Sequence, residues 1–318
     1  AAGFIGSNTA DALLRRGDAG VGLADLNDYD DPARQQANLD GGRAGAPGAR
    51  SCEYSKVDLR DAEGVAGVFA AHDFDAIVHL AAMAGVRASI EDPKLSLDVN
   101  LDGTLNLLES ARRHGQPTFV FASTSSVYGA TRVIPFIESD RADRPLAPYP
   151  ASKRAAELLG HSYFHLFGQS FTALRFFTVY GPRGRPDMMA YKVLDNIFRG
   201  AEVPLYNNGQ MHRDWTYVDD IVQGIVAAVD RPLGYEVINL GRGQPILLAD
   251  FVRLIEEQAG QRSTLVDKPM PAADIEYTYA SIDRAKELLG YAPKVSVEQG
   301  VREFYRWYRS AVLQEASS

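Results

Sequence analysis

The stretch Pro117-Thr118-Phe119-Val120-Phe121-Ala122-Ser123-Thr124-Ser125-Ser126-Val127-Tyr128-Gly129 opens as a short apolar run and closes on hydroxyls and a glycine. An apolar run of this length, with no polar residue on alternate positions, reads as a strand buried on both faces. Outward from it the same unit recurs. Residues 75–80 form another such strand, ending at Ala81-Ala82, and residues 97–114 read as a long helix between the two. Upstream, residues 4–16 have a helical pattern and residues 20–25 read as a short buried strand. A further strand ends at Val57, before Asp58-Leu59-Arg60-Asp61 as a cap and helix start. Short buried strands alternating with helices predict an α/β fold with a doubly wound parallel sheet.

Two regions depart from that rhythm. Residues 31–50 contain Asp40-Gly41-Gly42 and Gly45-Ala46-Pro47-Gly48, and read as a mobile surface excursion. Beyond Tyr180 the spacing becomes irregular, with helices over 219–230, 248–258, 283–289 and 297–310 interrupted by short strands. The expected division is residues 1–178 as mainly a dinucleotide-binding domain and 179–318 as mainly a smaller C-terminal substrate-binding region. Some segments of the second part return to the sheet, and no internal repeat is visible.

With 318 residues, 46% of them hydrophobic, the chain can bury a large core. Its formal charge of -8 argues against a nucleic-acid partner, which would want a basic face. The lone Cys52 excludes an internal disulfide and fits a reducing compartment. No apolar run approaches the roughly 20 residues of a membrane span, and no leader is recognisable. A cytoplasmic protein with no membrane partner is expected, and no metal site.

The chain opens on Ala1-Ala2-Gly3-Phe4-Ile5-Gly6, the tail of a glycine-rich turn without its first glycine and the strand before it. A helix starting after such a turn presents backbone N–H groups and a positive dipole end to a pyrophosphate. A plain turn would look the same from two glycines alone. Asp25 strengthens the nucleotide reading: at the end of the next strand, an acid can accept hydrogen bonds from both adenosine ribose hydroxyls. It would repel a 2′-phosphate, so NAD is expected over NADP. Asn27 follows in the same turn. Asp58 and Leu59 suit either side of an adenine, although Asp58 suits a helix N-cap equally.

Tyr149-Pro150-Ala151-Ser152-Lys153 supplies a phenol and an amine at four-residue spacing, and Thr124 a hydroxyl upstream. Such a pair alone often only shares a helix face. With a nucleotide-binding turn it fits oxidation of a secondary alcohol. Lys153, together with an oxidised nicotinamide, would favour the Tyr149 phenolate and lower its pKa, Tyr149 would take the hydroxyl proton as hydride leaves, and Thr124 would position the oxygen.

Several longer motifs go further. Arg175-Phe176-Phe177-Thr178-Val179-Tyr180-Gly181-Pro182-Arg183-Gly184-Arg185-Pro186-Asp187-Met188 resembles UDP-glucuronate 4-epimerases nearly residue for residue. His79-Leu80-Ala81-Ala82, Ala84-Gly85-Val86-Arg87 and Met211-His212-Arg213-Asp214-Trp215-Thr216-Tyr217-Val218-Asp219-Asp220 are similar to the same family. These enzymes are extended short-chain dehydrogenase/reductases of the NAD-dependent epimerase/dehydratase type, with a Rossmann domain, and the likeness spans the chain.

The resemblance implies that Gly3, Phe4, Ile5, Gly6, Asp25, Asn27, Asp58, Leu59, Leu80, Ala81 and Ala82 line the NAD site. It implies that Asn100, Tyr149 and Lys153 meet the nicotinamide ribose and that Phe176 shapes the nicotinamide pocket. Arg213 and Asp274 would hold the uridine nucleotide, with main chain around Met189, Ala190 and Tyr206; an Arg213–Asp214 surface pair is the alternative. Ala273 stands where the family commonly has glycine. Arg185 suits the sugar carboxylate. Arg87 suits a phosphate or the sugar acid, or a structural bridge to Glu91. His79 reads as a buried core histidine. Residues 97–114 and 152–166 would form a four-helix homodimer interface, as in related enzymes.

In the implied reaction hydride leaves sugar C4, a 4-keto intermediate turns its other face, and hydride returns, converting UDP-glucuronate to UDP-galacturonate. A C4 ketone beside a C5 carboxylate is prone to lose CO2, and hydroxyls of Thr124, Ser125, Ser126 and Thr178 are candidates to fix the carboxylate's rotation. Related dehydratases resemble Thr-Asp-Glu-Val-Tyr-Gly at this point and UDP-glucuronate decarboxylases Thr-Ser-Glu-Val-Tyr-Gly, whereas this chain has no acid at Ser125 or Ser126. Thr178, where a UDP-hexose 4-epimerase usually has asparagine, weakens the neutral-sugar alternative. A non-catalytic dinucleotide-sensing regulator is the alternative outside enzymes, and the retained Thr124, Tyr149 and Lys153 argue against it.

Overall fold

A computed structural model describes residues 1–29, 31–43 and 52–313. In chain order the strands are β1 (Gly20–Ala24), β2 (Cys52–Lys56), β3 (Ala76–His79), β4 (Thr118–Thr124), β5 (Phe171–Phe176), β6 (Thr178–Tyr180), β7 (Glu202–Tyr206), β8 (His212–Arg213), β9 (Trp215–Tyr217), β10 (Tyr235–Leu240), β11 (Ile246–Leu247), β12 (Thr264–Lys268) and β13 (Tyr277–Thr278). The helices are α1 (Phe4–Arg16), α2 (Pro32–Arg43), α3 (Ala62–Ala71), α4 (Val86–Glu91), α5 (Pro93–Leu97), α6 (Gly103–Arg113), α7 (Pro148–Phe167), α8 (Met189–Arg199), α9 (Val218–Val229), α10 (Leu248–Ala259), α11 (Asp283–Leu289) and α12 (Val297–Tyr308).

The central sheet runs β3-β4-β5-β10, all parallel, and a parallel β1-β2 pair forms a separate ladder. Alternation along β4 explains the two helix layers. Phe119 and Phe121 enter a cluster with Leu107, Leu108 and Phe171, while Val120 and Ala122 face a larger cluster with Ile221, Ile225 and Leu240. Both faces are therefore apolar, as a strand between two layers requires. Gly160 of α7 lies against the Phe171 ring, where a Cβ would come within 2.4 Å. Small sheets β11-β8-β13, β12-β7 and β6-β9 build the second half of the chain.

Three expectations need correction. The supposed mobile excursion contains α2, which opens with Pro32 as its first residue and buries Leu39. Its glycines and proline cluster in the second part, masking Ala33 to Leu39, which form helix well; residues 44–50 lie outside the described residues. The helix expected over 97–114 is two helices, α5 and α6, joined by a π turn at Asp98–Asp102. The helix expected over 152–166 starts earlier, at Pro148, because proline suits a first helical position.

Candidate active site

A cavity of about 680 Å³ opens at the C-terminal ends of β3 and β4 and reaches back between β1 and β3. Its walls bring together most of the residues singled out from sequence: Gly3, Phe4, Ile5, Gly6, Asp25, Asn27, Asp58, Leu59, Leu80, Ala81, Ala82, Thr124, Ser125, Ser126, Tyr149, Lys153, Phe176, Thr178 and Arg185. The position agrees with where open α/β sheets bind ligands.

At one end, α1 begins after Gly3 with no side-chain cap and no acid in its first turn. Its dipole end is thus open to an anion. A Cβ on Gly3 would meet nothing within 4 Å, whereas one on Gly6 would lie 3.1 Å from the Ala1 carbonyl oxygen. Gly3 keeps the cradle free for a phosphate, and Gly6 lets the helix pack closely on the chain before it. The Asp25 carboxylate accepts from Asn27 Nδ2. Asp58 is held by Arg60, whose hydrogen bonds keep its carboxyl below the usual range. The N-cap of α3 is Asp61, accepting from Gly64 N at 3.0 Å, so Asp58 does not serve as that cap.

At the other end, Thr124 terminates β4 and its Oγ1 accepts from Ser126 N at 3.2 Å, capping the turn Ser125–Tyr128. Tyr149 and Lys153 project from the first turns of α7. Burial pushes the Tyr149 phenol up, opposed by the Arg185 charge and a hydrogen bond with Thr124. Without a bound nicotinamide, Arg185 is the main charge opposing that rise. Burial pulls Lys153 down to about 7, with the Glu157 carboxylate opposing. Lys153 Nζ has no hydrogen-bond partner and sits 4.6 Å from the Phe121 ring centroid. His79 is buried against Thr104, 3.0 Å from Nε2, and burial with the Lys153 charge holds it neutral.

The NAD cofactor fits these residues on two observations. The open Gly3 cradle at the α1 N-terminus suits a pyrophosphate, and the orphaned buried ammonium of Lys153 suits ribose hydroxyls.

Other expected residues lie outside the cavity. Asn100, fully buried in the π turn, accepts from Met83 N at 2.9 Å and donates to Ser152 Oγ at 3.0 Å, so it stands behind the wall and not on it. Arg87 donates to the Tyr206 hydroxyl at 2.7 Å and lies over its ring, bridging α4 to β7. Met189 and Ala190 line a smaller cavity of about 170 Å³ beside Thr178 and Arg185. Arg213 pairs with Asp274 at 3.0 Å, and not with Asp214. Arg185 pairs with Asp187 at 2.8 Å.

Sequence reading missed the group behind Thr124, Tyr149 and Lys153. Glu157 accepts from Ser123 Oγ at 2.5 Å, from Arg175 at 2.9 and 2.7 Å, and from Arg154 at 2.9 Å. The signal was present: Glu157 follows Lys153 by the same four residues that separate Lys153 from Tyr149, and so shares their helix face. Among the described residues no group of His, Cys, Asp and Glu could hold a metal ion, and no helix is long and apolar enough to cross a membrane.

The family pattern described as NAD dependent epimerase/dehydratase matches residues 1–241. The chain belongs to that family. It is 38% identical to the UDP-glucuronate 4-epimerase of Thermodesulfobacterium geofontis over 98% of this chain and 95% of that one. The UDP-glucuronic acid 4-epimerase of Bacillus cereus, solved with UDP-glucuronic acid and NAD, superposes with a TM-score of 0.88 at 29% identity, covering 97% of each chain. A dTDP-glucose 4,6-dehydratase from Streptomyces venezuelae, solved with NAD, gives a TM-score of 0.89 at 28% identity over 98% of this chain and 95% of that one. Backbone likeness therefore does not separate epimerisation from dehydration, and the side chains at the end of β4 must.

Proposed function

We propose that the protein is an NAD-dependent UDP-glucuronate 4-epimerase, an isomerase that interconverts UDP-glucuronate and UDP-galacturonate through a transient 4-keto sugar. The carrying observation is a cavity with Thr124, Tyr149 and Lys153 together and hydroxyls, not acids, at Ser125 and Ser126. Elimination of water lacks its general acid there.

When bound, NAD supplies a reversible hydride acceptor for sugar C4. Tyr149 takes the C4 hydroxyl proton and returns it to the new alcohol. Thr124 holds the reacting oxygen, and Arg185 offsets the cost of a buried phenolate. Lys153, held without a protein partner, orients the ribose and adds positive charge. Ser125, Ser126 and Thr178 hold the sugar carboxylate so that its C5–C6 bond stays out of line with the C4 carbonyl. Asp25 accepts from the adenosine ribose, with Asp58 and Leu59 beside the adenine. Arg213 and Asp274, with main chain at Met189, Ala190 and Tyr206, receive the uridine diphosphate, and Arg87 leaves the Tyr206 hydroxyl for a phosphate. Asn100 serves the ribose indirectly by fixing Ser152 next to Lys153.

Residues 1–178 act mainly as the cofactor-binding part and 179–318 mainly as the sugar-nucleotide part. Exposed Leu105 on α6 and Leu158, Phe164, Leu166 and Phe167 on α7 support a homodimer.

The test is incubation with UDP-glucuronate while NMR follows the anomeric protons. The expected product is UDP-galacturonate, without NADH accumulation or CO2 release. A UDP-pentose as main product would overturn the assignment to epimerisation in favour of decarboxylation. No conversion of any UDP-sugar would favour the regulator.

A further inference from the structure

Tyr149, Lys153 and Glu157 follow one another at four-residue intervals along α7, one above the next on the face turned to the sheet. Glu157 has no exposed surface. Its carboxylate is fastened to two strands at once, by Ser123 Oγ at 2.5 Å from β4 and by the Arg175 fork at 2.9 and 2.7 Å from β5. These anchor positions face each other across the sheet, Ser123 opposite Arg175, and each immediately precedes a cavity residue, Thr124 and Phe176. Arg175 is itself seated over the Tyr128 ring, 4.6 Å from its centroid, and Tyr128 donates to Asn239 on β10 at 2.7 Å. The carboxylate is thus the point at which the helix carrying the base is bolted to the strand ends carrying Thr124 and Phe176.

The charges near Lys153 are few. From its own helix come Glu157 and, on the solvent side, Arg154, which is bound to Glu157 and to the Arg141 carbonyl. From β3 comes His79, neutral; from β5 comes Arg175, already paired with Glu157. β4 presents Phe121, and the π turn and α6 present Asn100 and Thr104, all uncharged. Arg185 faces Tyr149. Among the described residues, Glu157 is the carboxylate whose field reaches the lysine.

We propose that Glu157 is a positioning residue for the reaction: it sets α7 in register with Thr124 and Phe176, and it places a buried carboxylate one helical turn from the Lys153 ammonium on the same face of α7. Nothing in the arrangement requires Glu157 to touch substrate or cofactor. The proposal rests on the epimerase reading for its kinetic consequence but not for its electrostatic one, so the two are measured separately.

The experiment uses NAD-loaded enzyme and the variants Glu157→Gln, Glu157→Asp and Ser123→Ala. One readout is the titration midpoint of Lys153 by carbon NMR of labelled lysine, assigned by its loss in Lys153→Met. The other is the pH profile of epimerisation. With Glu157→Gln the attraction holding the proton is gone, so the ammonium deprotonates at lower pH. The midpoint and the alkaline limb of kcat both move down, by about one unit. Glu157→Asp keeps the charge and restores the limb, while its shorter reach to β4 and β5 leaves kcat reduced. Ser123→Ala loosens one bolt and lowers kcat without moving the limb. If Glu157→Gln does not fold, Glu157→Asp with Ser123→Ala takes its place: it keeps the charge and removes one strand anchor, so kcat falls while the limb stays where it was, and an unchanged kcat overturns the positioning role. An unmoved Lys153 midpoint in the folded variant overturns the proposal even if epimerisation is intact. A moved midpoint in a protein that converts no UDP-sugar upholds it and overturns the epimerase reading instead. A limb that shifts as far in Glu157→Asp as in Glu157→Gln also overturns it.

Discussion

Glu157 and Asp214 are both carboxylates without exposed surface, one in each half of the chain, and they are satisfied in different ways. Glu157 is held by side chains, two guanidiniums and a hydroxyl, brought from separate elements. Asp214 is held by backbone: it accepts from Arg242 N at 2.7 Å, Gly243 N at 2.9 Å and Ala280 N at 3.0 Å, with Thr216 Oγ1 beside it. Backbone donors carry no net charge, so Asp214 is a local knot tying the turn after β10 to the chain after β13. The guanidiniums carry full charge, and the Glu157 group lies next to a lysine with no partner. The contrast is between a carboxylate that knots the backbone and one that holds charged side chains beside Lys153, as the positioning role proposed for Glu157 requires.

The largest test of that separation is Asp214→Ala. Three buried N–H groups lose their acceptor at about 1–3 kcal/mol each, so a loss of stability of about 4 kcal/mol is expected. Urea midpoints at constant m report it, and the folded fraction should retain its kcat. A kcat loss without a stability loss would erase the distinction. Next comes Tyr149→Phe, which removes the proposed proton acceptor and should lower turnover by roughly 10²-fold or more, with nucleotide binding nearly intact. Near-normal turnover would move the base elsewhere.

A smaller effect is expected at Lys153. The folded ammonium releases its proton near pH 7, while the unfolded chain holds it to about 10.4. Between those values the unfolded state binds more protons, so stability from this group rises with pH, and below 7 the full penalty of burying the charge is present. Lys153→Met should therefore stabilise the ligand-free protein by about 1–2 kcal/mol at pH 6. That advantage should shrink toward pH 10, and epimerisation should be lost. Thermal midpoints of both proteins across pH check the slope; parallel curves would show that the lysine is not held as described. The smallest is Asp25→Ala, expected to weaken NAD binding by about 1 kcal/mol and to relax discrimination against NADP. An unchanged NAD/NADP preference in titrations would remove Asp25 from the ribose.

The core of the sheet was legible because β3 and β4 are apolar on both faces and bounded by helical patterns. The cavity walls were legible because Gly3, Asp25, Thr124, Tyr149 and Lys153, each ambiguous alone, fall together in the order a dinucleotide site with a sugar-oxidising base requires. Helix α2 was not, because its neighbouring Gly and Pro residues dominate any local reading. The spacing placed Glu157 on the Tyr149–Lys153 face of α7, but its partners were not legible, because a buried Arg175 and a surface one look alike until β4 and β5 are laid side by side. The Arg87–Tyr206 bridge joins residues from opposite halves, and no local pattern encodes it.

The π turn at Asp98–Asp102 has a consequence for how this chain tolerates change in length. One residue more than an α-helical turn puts the helix before it and the helix after it out of phase by about 100°. That phase offset is what aims Asn100 at Met83 and Ser152. Deleting a single residue there would let α5 and α6 fuse into one regular helix with an unbroken ladder, and would rotate the amide off both partners. The more regular helix would be the less competent one, and a one-residue gap at this point in a relative would mark a rewired lysine pocket.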